Sequence, residues 1–151
     1  MKTNLILIAL GLMNGFCFSQ TLKEKDVPAA VTQAFQKEFP GIKAEKWEKE
    51  GANYEVEFDL NKTENEVVYD ASGKRIEHEV ELKPSELPKF VLEYFEKNLP
   101  GKKIKEASKS TDADGTITYE AEVGDTEYRF QEAVGLIGQE TEKENEKGGK
   151  D

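Results

Sequence analysis

The sequence contains very few of the residue types that catalytic and metal-binding sites most often use. It has one cysteine, Cys17, and one histidine, His78, among 151 residues. Zinc sites normally take three or four ligands, mostly cysteine and histidine, so these two residues cannot supply one. A nucleophile activated by histidine would have to use His78, which lies in an apolar alternating pattern typical of a core position. We therefore predict that the protein is not an enzyme and that it uses no cofactor.

Basic residues are also scarce relative to acidic ones. The chain has 21 lysines and arginines against 31 aspartates and glutamates, and its formal net charge is −10 at pH 7. Because a negatively charged surface repels the phosphate backbone of nucleic acids, we predict that the protein has no nucleic-acid partner. The negative surplus is compatible with simple solubility or with attraction of cations, and the sequence leaves both alternatives open.

Long hydrophobic runs are absent apart from the first residues. Residues 1–19 contain one lysine, an apolar run and then small or polar residues, which is the pattern of a secretory signal peptide cleaved before Gln20. The run is too short to span a bilayer, which takes about 20 residues. We predict a secreted or periplasmic protein with no membrane insertion after signal removal. Lipid anchoring through Cys17 is the alternative, and Phe16 disfavours it because lipoprotein signals require a small residue there.

One sequence element is present twice. Residues 27–41 read "VPAAVTQAFQKEFPG" and residues 87–101 read "LPKFVLEYFEKNLPG". In both, apolar residues recur every four positions, which is the spacing of one helix face. A proline is tolerated at the start of a helix, and a second proline stops the helix near its end. The two stretches therefore predict two helices.

Alternating stretches follow each helix. Residues 53–60, "NYEVEFDL", place apolar and acidic residues on opposite faces, as in a strand with one wet face. The fold class predicted is α+β, with two tandem units of one helix and an antiparallel sheet, and with the helices on one sheet face. The units are residues 20–83 and 84–139, which together form one globular body, on one continuous sheet or two. Residues 140–151 are predicted to be a disordered acidic tail.

The residues that begin and end the helices, strands and turns of both units are similar to those of a known family. The helix opened by proline and closed by "FPG", the run "YEVEF" and the stretch "VVYDASGKRIEHEVEL" resemble the PepSY-like family, also called beta-lactamase-inhibitor-like, which is common among secreted proteins of Bacteroidota. This resemblance implies an exported module that binds or inhibits an unidentified protein or peptide, without catalytic residues. Residues 131–134, "QEAV", replace "DASG" of residues 70–73, which predicts a last hairpin of different length or register.

A calcium site is the more specific alternative to a site for a protein or peptide. In "STDADGTITYEA", residues 110–121, Asp112, Asp114 and Gly115 stand at positions 3, 5 and 6 of the EF-hand loop. Serine and alanine occupy positions 1 and 12, where that loop has acidic ligands. Asp-Gly is also the usual signal of a hairpin turn, and the sequence favours the turn. A calcium-responsive periplasmic binding protein is therefore the alternative to a module that binds a protein or peptide.

Two features are candidates for contact with a partner. Trp47 lies in the charged stretch "AEKWEKEG", so we predict that it is partly exposed and available for partner binding. The polar sheet face carries glutamates that could contact a basic partner, although a solvated face is the simpler interpretation: Glu55, Glu57, Glu77, Glu79 and Glu81. The sequence singles out no carboxylate in an apolar pocket that would shift its pKa.

Overall fold

The computed structural model describes residues 20–141, which form two α-helices, two short 3₁₀ helices (Glu24–Asp26 and Pro84–Glu86) and nine strands. The elements are β1 (Gln20–Leu22), α1 (Ala29–Glu38), β2 (Lys46–Glu50), β3 (Asn53–Leu60), β4 (Thr63–Tyr69), β5 (Arg75–Leu82), α2 (Lys89–Asn98), β6 (Glu106–Asp112), β7 (Ile117–Val123), β8 (Thr126–Gln131) and β9 (Gly135–Thr141). The predicted signal peptide, residues 1–19, lies outside the described residues. Most of the predicted tail also does, but its first two residues, Glu140 and Thr141, belong to β9.

Both helices begin and end close to the prolines that predict their boundaries. Pro28 precedes the first residue of α1, and Pro88 precedes that of α2. After each helix, a glycine takes a left-handed conformation, with φ of +80° at Gly41 and +79° at Gly101, which side chains disfavour. Each helix has ten residues, and no helix within residues 20–141 is long and apolar enough to cross a membrane.

All nine strands belong to one antiparallel sheet in which every strand pairs with its neighbour in sequence, from β1 at one edge to β9 at the other. A helix followed by four strands occurs twice along the chain. Strands β5 and β6 join the two halves through a register that runs from Glu77 opposite Asp112 to Leu82 opposite Ala107. The strands therefore form one continuous sheet.

The first hydrophobic cluster lies between α1 and strands β2 to β4. Phe35 is 1% exposed, and its ring centroid lies 5.1 Å from that of Phe58 and 5.6 Å from that of Trp47. Trp47 itself is only 3% exposed, so the prediction that it is partly exposed is wrong. Alternation along β2 turns its indole toward α1 while the charged neighbours point the other way, which removes the basis for a role of Trp47 in partner binding.

The second hydrophobic cluster lies between α2 and strands β6 to β8. Phe95 is 5% exposed, and its ring centroid lies 5.5 Å from that of Phe130 and 5.3 Å from that of Tyr128. Val91 and Ala121 complete the centre of this cluster and are almost fully buried. Both helices therefore cover the same face of the sheet, each above its own cluster of apolar side chains.

His78 lies on the helix-covered face, as its place in the apolar pattern predicts. Its Nε2 atom is 2.9 Å from Oδ1 of Asn65, and its ring meets that of Phe39 edge to face at 5.6 Å. Burial lowers the pKa of His78, and the charge of Arg75 acts in the same direction. His78 is thus a packed, hydrogen-bonded residue that is neutral at pH 7.

The predicted difference between the last hairpins is wrong in length and register. Tyr69 pairs with Arg75 in the first half and Phe130 pairs with Leu136 in the second, and an irregularity precedes Tyr69 and Phe130 alike. Two different turns reach the same geometry. In the first, Oδ1 of Asp70 accepts hydrogen bonds from the backbone N–H groups two and four residues later. The second has no such aspartate and uses a bond from Val134 N to Gln131 O.

Candidate functional site

The face of the sheet opposite the helices carries carboxylates on eight of its nine strands. Because side chains alternate along a strand, each acidic residue that follows or precedes a core residue points to this second face. We call it the acidic face, and its carboxyl groups are Glu48, Glu50, Glu55, Glu57, Asp59, Glu64, Glu66, Glu77, Glu79, Glu81, Glu106, Asp112, Glu120, Glu122, Glu127 and Glu140.

The strand register sets many of these carboxyl groups directly opposite one another. Like charges placed this way destabilise a sheet. The opposed acidic pairs are Glu48 with Glu55, Glu57 with Glu66, Asp59 with Glu64, Glu66 with Glu79, Glu77 with Asp112, Glu106 with Glu122, Glu122 with Glu127, and Glu127 with Glu140. The face therefore concentrates negative charge at a cost in folding free energy.

Several of these glutamates are buried, which corrects the prediction of a simply solvated face. Glu55 is 6% exposed, Glu77 is 9% exposed and Glu79 is 4% exposed. These residues lie on central strands, so neighbouring strands on both sides crowd their carboxyl groups. Burial of a charge without a counter-ion is costly, and the usual response of a carboxyl group is to retain its proton.

Glu55, Glu66 and Glu79 form what we call the central carboxyl cluster, on strands β3, β4 and β5. Burial and the charges of Glu55 and Glu79 raise the pKa of Glu66 strongly, so that Glu66 is protonated at pH 7 and donates a hydrogen bond to Glu55. Burial raises the pKa of Glu79 to about 7, although a hydrogen bond from Ser108 opposes the shift. The pKa of Glu55 is raised by burial and by Glu50.

Protonation is also favoured beyond this cluster. Burial, together with the charge of Glu79, raises the pKa of Glu120 to about 8. Burial raises the pKa of Glu50, Glu64 and Glu77 as well. The sequence indicates no apolar pocket around a carboxylate, and none is needed to raise these pKa values. The cause is mutual crowding of acidic side chains rather than an apolar pocket, and a single sequence does not reveal which strands will crowd one another.

Three basic side chains contact the acidic face toward its flanks. Lys46 Nζ on β2 lies 2.8 Å from Glu57 Oε1 and 3.0 Å from Glu48 Oε2. Lys105 Nζ lies 3.0 Å from Glu122 Oε1. Arg129 on β8 lies opposite Glu120 and 3.8 Å from Glu127 through its Nε atom. The acidic face can thus hold ammonium and guanidinium groups.

The central carboxyl cluster differs from these flanks. Within residues 20–141, no ion pair joins Glu55, Glu66 or Glu79 to a basic side chain. One buried oxygen of Glu66, Oε1, and one of Glu79, Oε2, have no hydrogen-bond partner. The part of the face with the most deeply buried carboxyl groups is therefore the part that the described chain leaves without a counter-ion.

Oxygen ligands for a metal ion also come together on the acidic face. Among the described residues, Glu48, Glu55 and Glu57 each place a carboxylate oxygen within 4.8 Å of the others. Carboxylate oxygens are ligands that calcium prefers. The ammonium group of Lys46 is bonded to two of the three side chains. A metal ion at this position would therefore compete with a cation that the protein already supplies.

Of the predicted calcium ligands, Asp112 is the last residue of β6, and Asp114 lies in the hairpin turn between β6 and β7. Asp112 N donates to Thr116 O at 3.0 Å, and Oδ1 of Asp114 accepts from Thr116 N at 2.9 Å. That hydrogen bond lowers the pKa of Asp114, whereas burial and the Asp114 charge raise the pKa of Asp112. Gly115 has φ of +88°, as such a turn requires. The turn geometry is complete without an ion, and calcium binding here stays a prediction.

The fold and this site define a class of protein, one built on an antiparallel sheet that helices cover on one face and that carries carboxyl groups on the other. The family described as "Putative beta-lactamase-inhibitor-like, PepSY-like" matches residues 17–77 and, with an overlap, residues 59–137. The chain belongs to this PepSY-like family, as its helix, strand and turn motifs predict. A search of curated proteins found no significant match.

Similar solved structures come from Bacteroides species. A DUF2874 family protein from Bacteroides uniformis has a TM-score of 0.68 at 20% identity, over 76% of this chain and 88% of that chain. A BLIP-like protein from Bacteroides fragilis has a TM-score of 0.63 at 24% identity, over 76% and 86%. A protein from Bacteroides eggerthii, described as periplasmic, has a TM-score of 0.66 at 17% identity, over 76% and 88%. At these identities the likeness shows the fold alone.

Proposed function

We propose that the protein is an exported, non-enzymatic module that binds, and thereby inhibits or sequesters, a protein or peptide ligand through the acidic face of its sheet. The observation that supports this proposal is the set of directly opposed carboxyl pairs on a face that neither helix covers. A sheet face kept at a cost in stability is typical of a surface retained for binding, and sites with perturbed carboxyl groups are candidates for function.

Membership of a beta-lactamase-inhibitor-like family and the description of a similar structure as periplasmic support two further parts of the proposal. The ligand is a macromolecule rather than a substrate, and the protein acts outside the cytoplasm. The repeated order of one helix and four strands supports a third part. The two halves are tandem copies of one unit, which share a sheet and therefore offer one wide face.

Binding is tested by passing secreted and periplasmic proteins of the producing organism over the immobilised protein. A retained protein is then purified and titrated in solution, where we expect saturable binding with one defined stoichiometry. A class A beta-lactamase assayed with and without the protein separates an inhibitor from a simple binder. The proposal fails if no purified protein binds saturably. It also fails if the protein turns over a substrate and His78→Ala abolishes that turnover.

A calcium-responsive binding protein is the second candidate. The close approach of Glu48, Glu55 and Glu57 favours it, since three carboxylates in reach of one another suit calcium. A ligand present at 100 times its dissociation constant adds roughly 2.7 kcal/mol to stability, so calcium should raise the melting temperature by several degrees. Loss of that rise in Glu55→Gln plus Glu57→Gln would place the ion on the acidic face. Loss in Asp112→Ala plus Asp114→Ala would place it in the hairpin turn.

A further inference from the structure

We infer that the central carboxyl cluster is the point at which the acidic face receives a lysine or arginine side chain of its partner, so that the ligand is a basic peptide segment. This inference rests on the proposed function and names the chemistry of its ligand. The cluster comprises Glu55, Glu66 and Glu79, which lie near one another on three adjacent strands, with Glu66 directly opposite Glu79.

An unsatisfied buried oxygen distinguishes this cluster from an ordinary acidic patch. Glu79 is 4% exposed, yet its Oε2 atom has no hydrogen-bond partner, and Oε1 of the facing Glu66 has none either. Buried polar atoms are paired in most proteins, and an unpaired one costs about 1–3 kcal/mol. Two unpaired acceptors on facing residues are the arrangement that an incoming N–H donor would complete.

Lys46 shows how this sheet binds a cation. Its Nζ atom bridges Glu57 and Glu48 at 2.8 and 3.0 Å, beside the central carboxyl cluster on the same face. Burial works against its charge, but hydrogen bonds to both glutamates raise the pKa of Lys46 above its usual value. An ammonium group is therefore bound firmly where two carboxylates flank it. The cluster offers the same kind of carboxyl pair without a lysine.

Proton release accompanies this binding. Glu79 retains its proton up to about pH 7 because burial disfavours its charge and the groups that face it are acidic: Glu64 and Glu66 from β4, Glu77 from its own strand, Glu120 from β7 and Glu127 from β8. The Ser108 hydroxyl of β6 and the charge of Arg129, which lies opposite Glu120 on β8, act in the other direction. A lysine or arginine side chain stays charged up to about pH 10. It favours the ionised carboxylate of Glu79 and expels its proton, so the affinity rises with pH.

The hydrogen bond from Glu66 to Glu55 persists over this range, because Glu66 keeps its proton at pH 8. Glu79 is therefore the side chain at which binding and deprotonation are coupled.

The test uses a synthetic peptide of alternating lysine and serine, and calorimetric titration of the full chain at pH 5.5 and pH 8. We expect affinity at least about tenfold higher at pH 8, with proton release measured by comparing buffers of different ionisation enthalpy. Glu55→Gln, Glu66→Gln and Glu79→Gln together should weaken binding at pH 8 by about tenfold and abolish the proton release. A peptide of alternating glutamate and serine should not bind.

The matched control removes three exposed carboxyl groups away from the acidic face, with Glu24→Gln, Glu96→Gln and Glu132→Gln. It should change the affinity less than about twofold. The inference is overturned if this control weakens binding as much as the cluster variant does, since the attraction would then be general. It is also overturned if calcium, but not the lysine peptide, binds in a manner that the cluster variant abolishes.

Failure of this inference is distinguishable from failure of the proposed function. If a purified natural partner binds the wild-type protein and the cluster variant equally well, the cluster is not the contact and the binding function stands. If no purified partner binds either form, the proposed function fails. The cluster variant should fold, because glutamine keeps the size of glutamate and removes repulsion between facing side chains. Its melting temperature at pH 8 checks this directly.

Discussion

Compared with the helix-covered face of the sheet, the acidic face buries side chains to a similar extent with the opposite energetic effect. Phe35 and Val56 are at most 1% exposed on the helix-covered face, and Glu55 and Glu79 are 6% and 4% exposed on the acidic face. Burial of an apolar side chain contributes about 1.5–3 kcal/mol to stability, whereas burial of a carboxyl group without a counter-ion costs stability. The helix-covered face stabilises the fold, and the acidic face reduces that stability.

The largest effect is expected on the helix-covered face. Phe35→Ala and Phe95→Ala remove the central ring of each cluster and should each destabilise the protein by about 3–5 kcal/mol. Urea unfolding followed by circular dichroism measures this change. Phe90→Ala, at a partly buried position beside the second cluster, serves as the control and should cost less. A loss below about 1 kcal/mol at Phe35 would contradict the account of the first cluster.

A change of opposite sign is expected on the acidic face. Burial raises the pKa of Glu79 from 4.5 to about 7, so the folded state binds a proton that the unfolded state releases between these pH values. The corresponding stability is complete below about pH 4.5 and is lost as the pH rises through 7. Glu79→Gln should therefore stabilise the protein at pH 8, by about 2 kcal/mol, and leave it unchanged at pH 4.5.

Thermal melting of both proteins across this pH range measures the difference. Glu96→Gln, at an exposed position on α2, is the control and should leave the pH profile unaltered. A destabilised Glu79→Gln variant at pH 8 would mean that the glutamate carries a counter-ion or a compensating hydrogen bond in solution.

A loss of stability similar in size to the gain expected for Glu79→Gln is expected at the turn between β4 and β5, which packs against α1. Gly73 has φ of +82°, and a β-carbon there would collide with the backbone carbonyl oxygen of Ala30 on α1. Gly115, in the other aspartate–glycine turn, has φ of +88° and open space around it. Gly73→Ala should cost about 2 kcal/mol or more, and Gly115→Ala about 1 kcal/mol. Equal losses in chemical denaturation would show that the turn is not held against the helix.

The smallest effect is expected at Lys46. Lys46→Gln removes the ammonium group between Glu48 and Glu57, and because the ion pair is partly exposed we expect a loss of about 1 kcal/mol at pH 8. The loss should shrink at pH 4.5, where the carboxylates gain protons. Lys49→Gln, on the helix-covered face of the same strand, provides the comparison and should not show that pH dependence.

The helices and strands could be predicted from the sequence because their signals are local. Pro28 and Pro88 mark the helix starts, and alternation in β3 and β5 separates core residues from glutamates. β1 has only three residues, which are too few for an alternating pattern to predict a strand. The equal length of the last hairpins also escaped prediction, since two unlike turn sequences satisfy the same backbone.

The acidic face could be anticipated only in part. Alternation indicates that Glu55 and Glu79 share a face, but their burial depends on which strands lie beside β3 and β5 and in what register. The predicted exposure of Trp47 was wrong for the same reason, because charged neighbours in the sequence do not indicate which residues of α1 cover the indole. Pairing and covering are long-range properties, and they decide both exposure and pKa.

The strictly sequential strand order has a consequence for the rate of folding. Each strand pairs with the strand that precedes it, so most ladders close through a short turn and none requires a distant segment to arrive first. Sheets with such local pairing fold faster than sheets assembled from remote strands, because less loop entropy is lost before contacts form. The two longest intervals between paired strands are equal in length. One contains α1, between β1 and β2, and the other contains α2, between β5 and β6, where the two halves of the sheet meet. We expect the rate-limiting step of folding to be the joining of the two halves across that ladder.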